Sequence, residues 1–275
     1  MSIEHLTSRA VLAVSGADAQ DLLQRVITAN VDTLPEQTAR DCALLTPQGK
    51  ILFQFLISRS SDGFRIDCPA DDRDALMKRL SLYKLRSDVE LAISDLKVIT
   101  SERTFEGAII DERAPELGWR AYDAQVPVTQ VPGKAELEKG YHARRWNAGI
   151  PEIGADYDTQ STFAHEALLD LTQGIDFRKG CYVGQEVVSR VEHRSKARKR
   201  FVKIAANDDL PAKGADIVVA GKTVGTMGSS NGQIGLALVR LDKLPGADVE
   251  VDSVLATLST PKFASFTIGA DEPDA

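Results

Sequence analysis

The sequence predicts an α+β protein: two mixed α+β regions followed by a small C-terminal β-barrel. Three observations lead there. Strand-like and helix-like runs alternate over residues 1–95, and the strands come as hairpins, which fits an antiparallel α+β region and not a doubly wound sheet. A second mixture of short strands and helices covers 96–194 and is punctuated by Gly149, Pro151 and Gly154. From 195 to 268 only short apolar runs remain, separated by Gly214, Gly221, Gly225, Gly228, Gly232 and Gly246, as in a small barrel or sandwich. The tail, 269–275, is acidic, carries Pro273 and is expected to be disordered.

Each element has its own signal. In the first region, 10–14 reads as a strand, and Ser15-Gly16-Ala17-Asp18 as a capping sequence before a helix with Leu22, Leu23, Val26 and Ile27 on one face. Strand formers fill 39–45 and 51–58, and the turn Thr46-Pro47-Gln48-Gly49-Lys50 between them makes a hairpin. A strand at 64–68, a helix over 71–83 with Leu76, Leu80 and Tyr83 at helical spacing, and a strand at 89–93 complete this region. The second region holds strands at 96–100 and 105–111, a helix over 135–147 and another around 166–171. Strands of the last region fall at 199–205, 216–220, 222–225, 234–239 and 249–251.

Composition narrows the function. The chain has 275 residues, 43% hydrophobic and 27% charged, which is ordinary for a soluble globular protein. A net charge of -7 argues against wholesale nucleic-acid binding. No run of about 18 apolar residues is present, so no membrane span is expected. The start, Met1-Ser2-Ile3-Glu4-His5, lacks the basic and apolar parts of a signal peptide and an Arg-rich transit segment, so a cytoplasmic location is expected. Three cysteines without a Cys-x-x-Cys pair argue against a disulfide framework, and with four scattered histidines they offer no ready-made zinc or cluster site.

One stretch concentrates chemistry: Lys179-Gly180-Cys181-Tyr182-Val183-Gly184-Gln185-Glu186. Its glycines allow tight turns, and Val187, Val188 and Val191 after it start a helix or strand near Gly184. If a helix follows, its positive end, with Arg178 and Lys179, is expected to favour a thiolate at Cys181. A lone cysteine is otherwise a small buried hydrophobe, the reading given to Cys42 and Cys68 within apolar strands. Lys179 steers an anion or tunes the thiol, or is a solvated lysine. Tyr182 stacks on a ring or fills a core. Gln185 and Glu186 hold a ligand or occupy a first helical turn, where an acid is favourable. Arg190, His193, Arg194, Lys196, Arg198, Lys199, Arg200 and Lys203 form a basic run, read as a solvated linker or as a docking surface for an acidic partner, a polyglutamate tail or RNA. Few aromatics interleave it, which argues against nucleic acid as a partner. Trp119 and Trp146 are read as packing residues, with Trp146 also placed to line a ligand channel.

With this order of regions and this motif, the chain resembles the YgfZ family, folate-binding proteins of iron–sulfur cluster assembly related to the T-protein (aminomethyltransferase) of the glycine cleavage system. Supporting segments are Gln24-Arg25-Val26-Ile27-Thr28-Ala29-Asn30-Val31-Asp32, Arg145-Trp146-Asn147-Ala148-Gly149-Ile150-Pro151-Glu152, Val224-Gly225-Thr226-Met227-Gly228-Ser229 and Gly235-Leu236-Ala237-Leu238-Val239-Arg240. The resemblance implies an aminomethyltransferase-like ring of three domains with tetrahydrofolate or another folate in a central channel. It implies a role in maturing 4Fe–4S proteins, with iron–sulfur assembly or client proteins as partners. Cys181 is then the functional thiol with Lys179 beside it, a transient cluster ligand at most, and no permanently bound metal is expected. Asn30, Arg145, Asn147, Tyr182, Gln185 and Glu186 become the folate-binding candidates. A folate-dependent one-carbon transferase is the alternative. Against it, the T-protein's acidic segment Gly-Gly-x-x-Asp-Asp corresponds to Gly49-Lys50-Ile51-Leu52-Phe53-Gln54, and the Glu of its Arg-x-Glu-Ala-Gly to Asn147. Asn147 offers a donor and an acceptor but no charge-assisted bond, and transfer at folate nitrogen needs acid–base groups.

Overall fold

The strand pattern of the first two regions resolves into a single nine-stranded sheet. The computed structural model describes residues 3–123, 138–194 and 197–269. The sheet contains β1 (Ile3–His5), β2 (Arg9–Ser15), β3 (Thr38–Leu45), β4 (Ile51–Ser60), β5 (Gly63–Pro69), β6 (Glu90–Ser94), β7 (Lys97–Ser101), β8 (Ile109–Asp111) and β9 (Trp119–Asp123). Their order is β1-β7-β9-β8-β3-β4-β5-β2-β6, so strands from both α+β regions share it. Described pairs are antiparallel except β3 beside β8, which joins the two halves. Every residue of β3 is buried, as expected of a strand covered on both faces.

Two helices pack on the first half: α1 (Ala19–Val26) and α2 (Arg73–Lys84). Leu22, Leu23 and Val26 of α1 enter the same core as Phe55, Ile57, Leu76 and Leu80. The capping reading at 15–18 needs correction. Asp18 precedes α1, but its carboxylate accepts the backbone N–H of Asp88 at 2.8 Å and makes no cap bond. The helix read around 166–171 is instead a series of turns over 164–173. Leu168 (φ 65°) and Gln173 (φ 62°) adopt left-handed backbone, which a right-handed helix cannot continue through. Helix α3 (Lys139–Ala148) covers most of the read 135–147 interval and runs one residue past it; the first three residues of that interval lie outside the described ones.

The last region is a closed barrel of six strands: β10 (Lys199–Ala206), β11 (Asp216–Val219), β12 (Lys222–Asn231), β13 (Ile234–Arg240), β14 (Asp248–Val251) and β15 (Val254–Ser259), ordered β10-β13-β12-β11-β14-β15. Closure comes from pairing β10 with β15, a strand the sequence reading omitted. Lys199, Arg200 and Lys203 are strand residues of β10, so this part of the basic run is not a linker; residues 195–196 lie outside the described ones, as does the tail from 270. An apolar cluster joins barrel to sheet: Phe201, Leu236 and Leu238 meet Ala43, Leu45, Ile51, Trp146, Leu168 and Tyr182. Burying each large apolar side chain contributes about 1.5 to 3 kcal/mol, which makes this cluster a strong seam. No helix among the described residues is long and apolar enough to cross a membrane.

Candidate functional site

The chemistry-rich motif sits on a loop clamped from below. Asp176 arranges it: one carboxylate oxygen accepts the backbone N–H groups of Arg178 (2.6 Å) and Lys179 (2.9 Å), and the other accepts Asn30 Nδ2 at 2.8 Å. Thr28 Oγ1 donates to the Gly174 carbonyl at 2.6 Å and accepts Ala43 N–H at 2.9 Å. Lys179 turns inward, and its ammonium donates to the carbonyls of Ile27 (2.8 Å) and Ala29 (2.6 Å). Burial pulls its pKa down to about 8, since the charged form is poorly solvated there. Residues 27–30 therefore form the bed of the motif loop, about 150 positions away in sequence.

The far side of the motif is pinned by glycine. Gly184 has φ 82°, and a Cβ on it would meet the Thr46 carbonyl oxygen at 2.6 Å and Leu45 Cβ at 2.9 Å. Gly49, at φ 80° in the β3–β4 turn, would meet Val187 Cβ at 2.7 Å. Only glycine combines this backbone with such close approach. The turn thus abuts the start of α4 (Gln185–Arg194). Between the two clamps, Gly180 and Cys181 are exposed. Cys42 and Cys68 are buried, as read, and burial raises both thiol pKa values, that of Cys68 to about 12.

The other candidates do not converge on Cys181. Tyr182 is buried in the seam, with the Lys179 ammonium 5.4 Å from its ring centre. Glu186 points to solvent and pairs with Arg190 one helical turn on, at 2.9 Å. Arg145 is fully buried. It binds Asp156, donates to the Ile150 carbonyl at 2.9 Å and reaches Ser229 Oγ of the barrel at 2.8 Å. Trp146 Nε1 donates to the same hydroxyl at 2.8 Å, while Asn147 is exposed on α3. Asn30 alone of the folate candidates lines a cavity of about 260 Å³, with Thr33, Arg40, Gln173, Asp176 and Arg178 among its neighbours.

Sequence reasoning missed a buried ionic network next to Gln54. Arg120 pairs with Asp67 (2.8 Å) and Asp111 (2.7 Å), Arg113 with Asp111 (2.8 Å) and Glu152 (2.7 Å), and Arg9 with Asp67 (2.7 Å). Tyr141 accepts from both Arg113 and Arg120 and donates to Glu152. Gln54 donates to both oxygens of Asp41 at 3.2 Å and accepts from Tyr157 (2.7 Å) and Ile153 N–H (3.1 Å). Burial pushes Asp41 up to about 6. A carboxylate thus stands beside the amide after all, on the neighbouring strand β3. The only sequence signal was the pair of charges Arg40 and Asp41 inside a run of strand formers. These groups bind one another, and the gap between them is too small for a water molecule.

Comparison with known proteins follows the same division. Residues 198–266 match the family model for the CAF17 C-terminal beta-barrel domain. A mitochondrial iron–sulfur cluster assembly factor IBA57 homologue from Pyricularia oryzae is 33% identical, covering 86% of this chain and 71% of its own length. The IBA57 homologue of Chaetomium globosum is 32% identical over 81% of this chain, which spans 60% of that relative. Human mitochondrial IBA57 is 28% identical, over 88% of this chain and 78% of its own. The aminomethyltransferase T of the Bartonella henselae glycine cleavage system superposes with a TM-score of 0.73 over 95% of this chain and 86% of its own, at 14% identity, a likeness of fold alone. The expectation of a cytoplasmic location is corrected here: these IBA57 relatives are mitochondrial by name. The expectation rested on the missing basic and apolar features of residues 1–5, and the cysteine usage fits any reducing compartment.

Proposed function

The chain belongs to the family of IBA57 iron–sulfur cluster assembly factors, and on that premise we propose that it is an accessory factor for assembly or repair of 4Fe–4S proteins, working through the Cys181 thiol. The YgfZ resemblance points to the same role. One observation carries the reading: of three free cysteines, Cys181 alone is exposed, at the tip of a loop fixed by buried bonds on one side and a glycine contact on the other. A single presented thiol suits a transient contact with a client or assembly protein. The acids of the T-protein pattern are replaced here by Phe53, Gln54 and Asn147, and the carboxylate beside Gln54, Asp41, is buried and bonded to Gln54 and Thr172, which disfavours a transferase and a conventional enzyme.

Tetrahydrofolate or another folate enters the proposal on the strength of the fold. The named residues do not fit it as one pocket: Arg145 and Tyr182 are buried in other contacts, Asn147 and Glu186 face solvent, and the cavity beside Asn30 is below the usual range of about 300 to 1,000 Å³. No step is therefore routed through a folate.

The test is complementation of cells lacking the native gene with wild type or Cys181→Ala, followed by assays of 4Fe–4S enzymes. The Ala variant is expected to leave those activities at the level of the deletion. Full rescue would remove the thiol from the mechanism. Calorimetric titration of both proteins with tetrahydrofolate separates ligand binding from thiol chemistry, with equal affinity expected in the two.

A further inference from the structure

We propose that His165, Asp170 and Glu192 form a binding site for one divalent first-row transition-metal ion, independent of the Cys181 thiol. One imidazole nitrogen and one oxygen from each carboxylate lie within 4.8 Å of one another. His165 is 3% exposed, and its Nε2 is buried without a hydrogen-bond partner. An unsatisfied buried nitrogen costs about 1 to 3 kcal/mol, so it needs an explanation in the native fold. A metal ion supplies one. Bond lengths near 2.0 to 2.2 Å place two ligands of the same ion about 3 to 4 Å apart, and His165 Nε2 stands 3.5 Å from Glu192 Oε2.

The surroundings support the ligands. Arg200 of β10 donates to Asp170 Oδ1 at 2.6 Å and to the His165 carbonyl at 2.7 Å, fixing both from behind, as outer partners do around metal ligands. Asp170 Oδ2 has no hydrogen bond among the described residues. Two carboxylates against one guanidinium leave a net negative charge for a cation. The cluster is reached from the surface past Glu192, whose side chain is 42% exposed. Imidazole with carboxylates suits Zn²⁺, Mn²⁺ or Fe²⁺. An ion here would tie α4 to the 164–173 turns. In sequence the three residues have no metal-motif spacing, so only folding brings them together.

The test is calorimetry on the full chain carrying Cys181→Ala, which removes a competing sulfur ligand, with zinc chloride and manganese chloride as separate titrants. One equivalent of at least one ion is expected to bind. Glu192→Gln, at a surface position that spares the fold, is expected to weaken it by about tenfold or more, and His165→Gln likewise. The ion is also expected to raise Tm in the parent and not in Glu192→Gln. Absence of binding by both ions, or unchanged stoichiometry and affinity in Glu192→Gln, would leave a plain ion pair and overturn the site.

Discussion

Lys179 shows how a residue in a chemical motif can serve the fold. Its ammonium is buried on the carbonyls of Ile27 and Ala29, which have no water to fall back on. Lys179→Met keeps the bulk and removes the donor, so two buried acceptors lose their partner. A loss of about 1 to 3 kcal/mol in urea unfolding is expected. Its pH dependence distinguishes this lysine from a surface one. Folding lowers its pKa from 10.5 to about 8, so between those pH values the unfolded chain holds more protons than the native one. Stability from this group therefore rises as pH increases from about 8 to 10.5. The gap between wild type and Lys179→Met should widen over that interval; a flat difference would place the ammonium in water. The sequence made Lys179 visible, but as a neighbour of the thiol, because adjacency in the chain says nothing about which way a long side chain turns.

At the scale of elements, the contact of the β3–β4 turn with the start of α4 decides where Cys181 is held. Gly184→Ala adds a methyl to a left-handed residue and drives it against the Thr46 carbonyl. A destabilisation of at least about 2 kcal/mol is expected, from backbone strain and overlap together. Gly180→Ala has open space around its Cβ and no positive φ, so it should stay within about 0.5 kcal/mol. Equal losses in the two variants, measured by chemical denaturation, would remove the turn from the account. The β3–β4 hairpin was legible because Pro47 and Gly49 interrupt two runs of strand formers, and α1 because its apolar residues recur on one face. The 164–173 turns were not, because Ala167, Leu168 and Leu171 have helical spacing while tertiary contacts hold Leu168 left-handed. The buried ion network was equally hidden, since Asp67, Asp111, Arg113 and Glu152 meet only when strands and loops far apart in sequence are assembled.

Across the whole molecule, three of the four supporting segments, together with the motif, make two joints. The Gln24–Asp32 segment is the bed of the motif loop, and the Arg145–Glu152 segment docks on the Val224–Ser229 strand of the barrel. Gly180 and Cys181 are the part of the motif that these joints leave at the surface. Ser229 is the hinge pin of the second joint. Its hydroxyl accepts from Arg145 and from Trp146 Nε1, both at 2.8 Å, and donates to Asp156 at 2.6 Å. Gly149 completes the fit, since a Cβ there would meet Pro261 Cγ at 2.6 Å. Ser229→Ala removes the acceptor while leaving the guanidinium and indole donors in place, so a loss of about 1 to 3 kcal/mol is expected. Trp146 reports on the joint directly. Its fluorescence should change in the native state of the variant, and the urea midpoint followed by that signal should fall. If the midpoint holds within error while the emission shifts, the apolar seam around Phe201 and Leu238 carries the docking alone, and the polar joint sets only the angle at which the barrel meets α3.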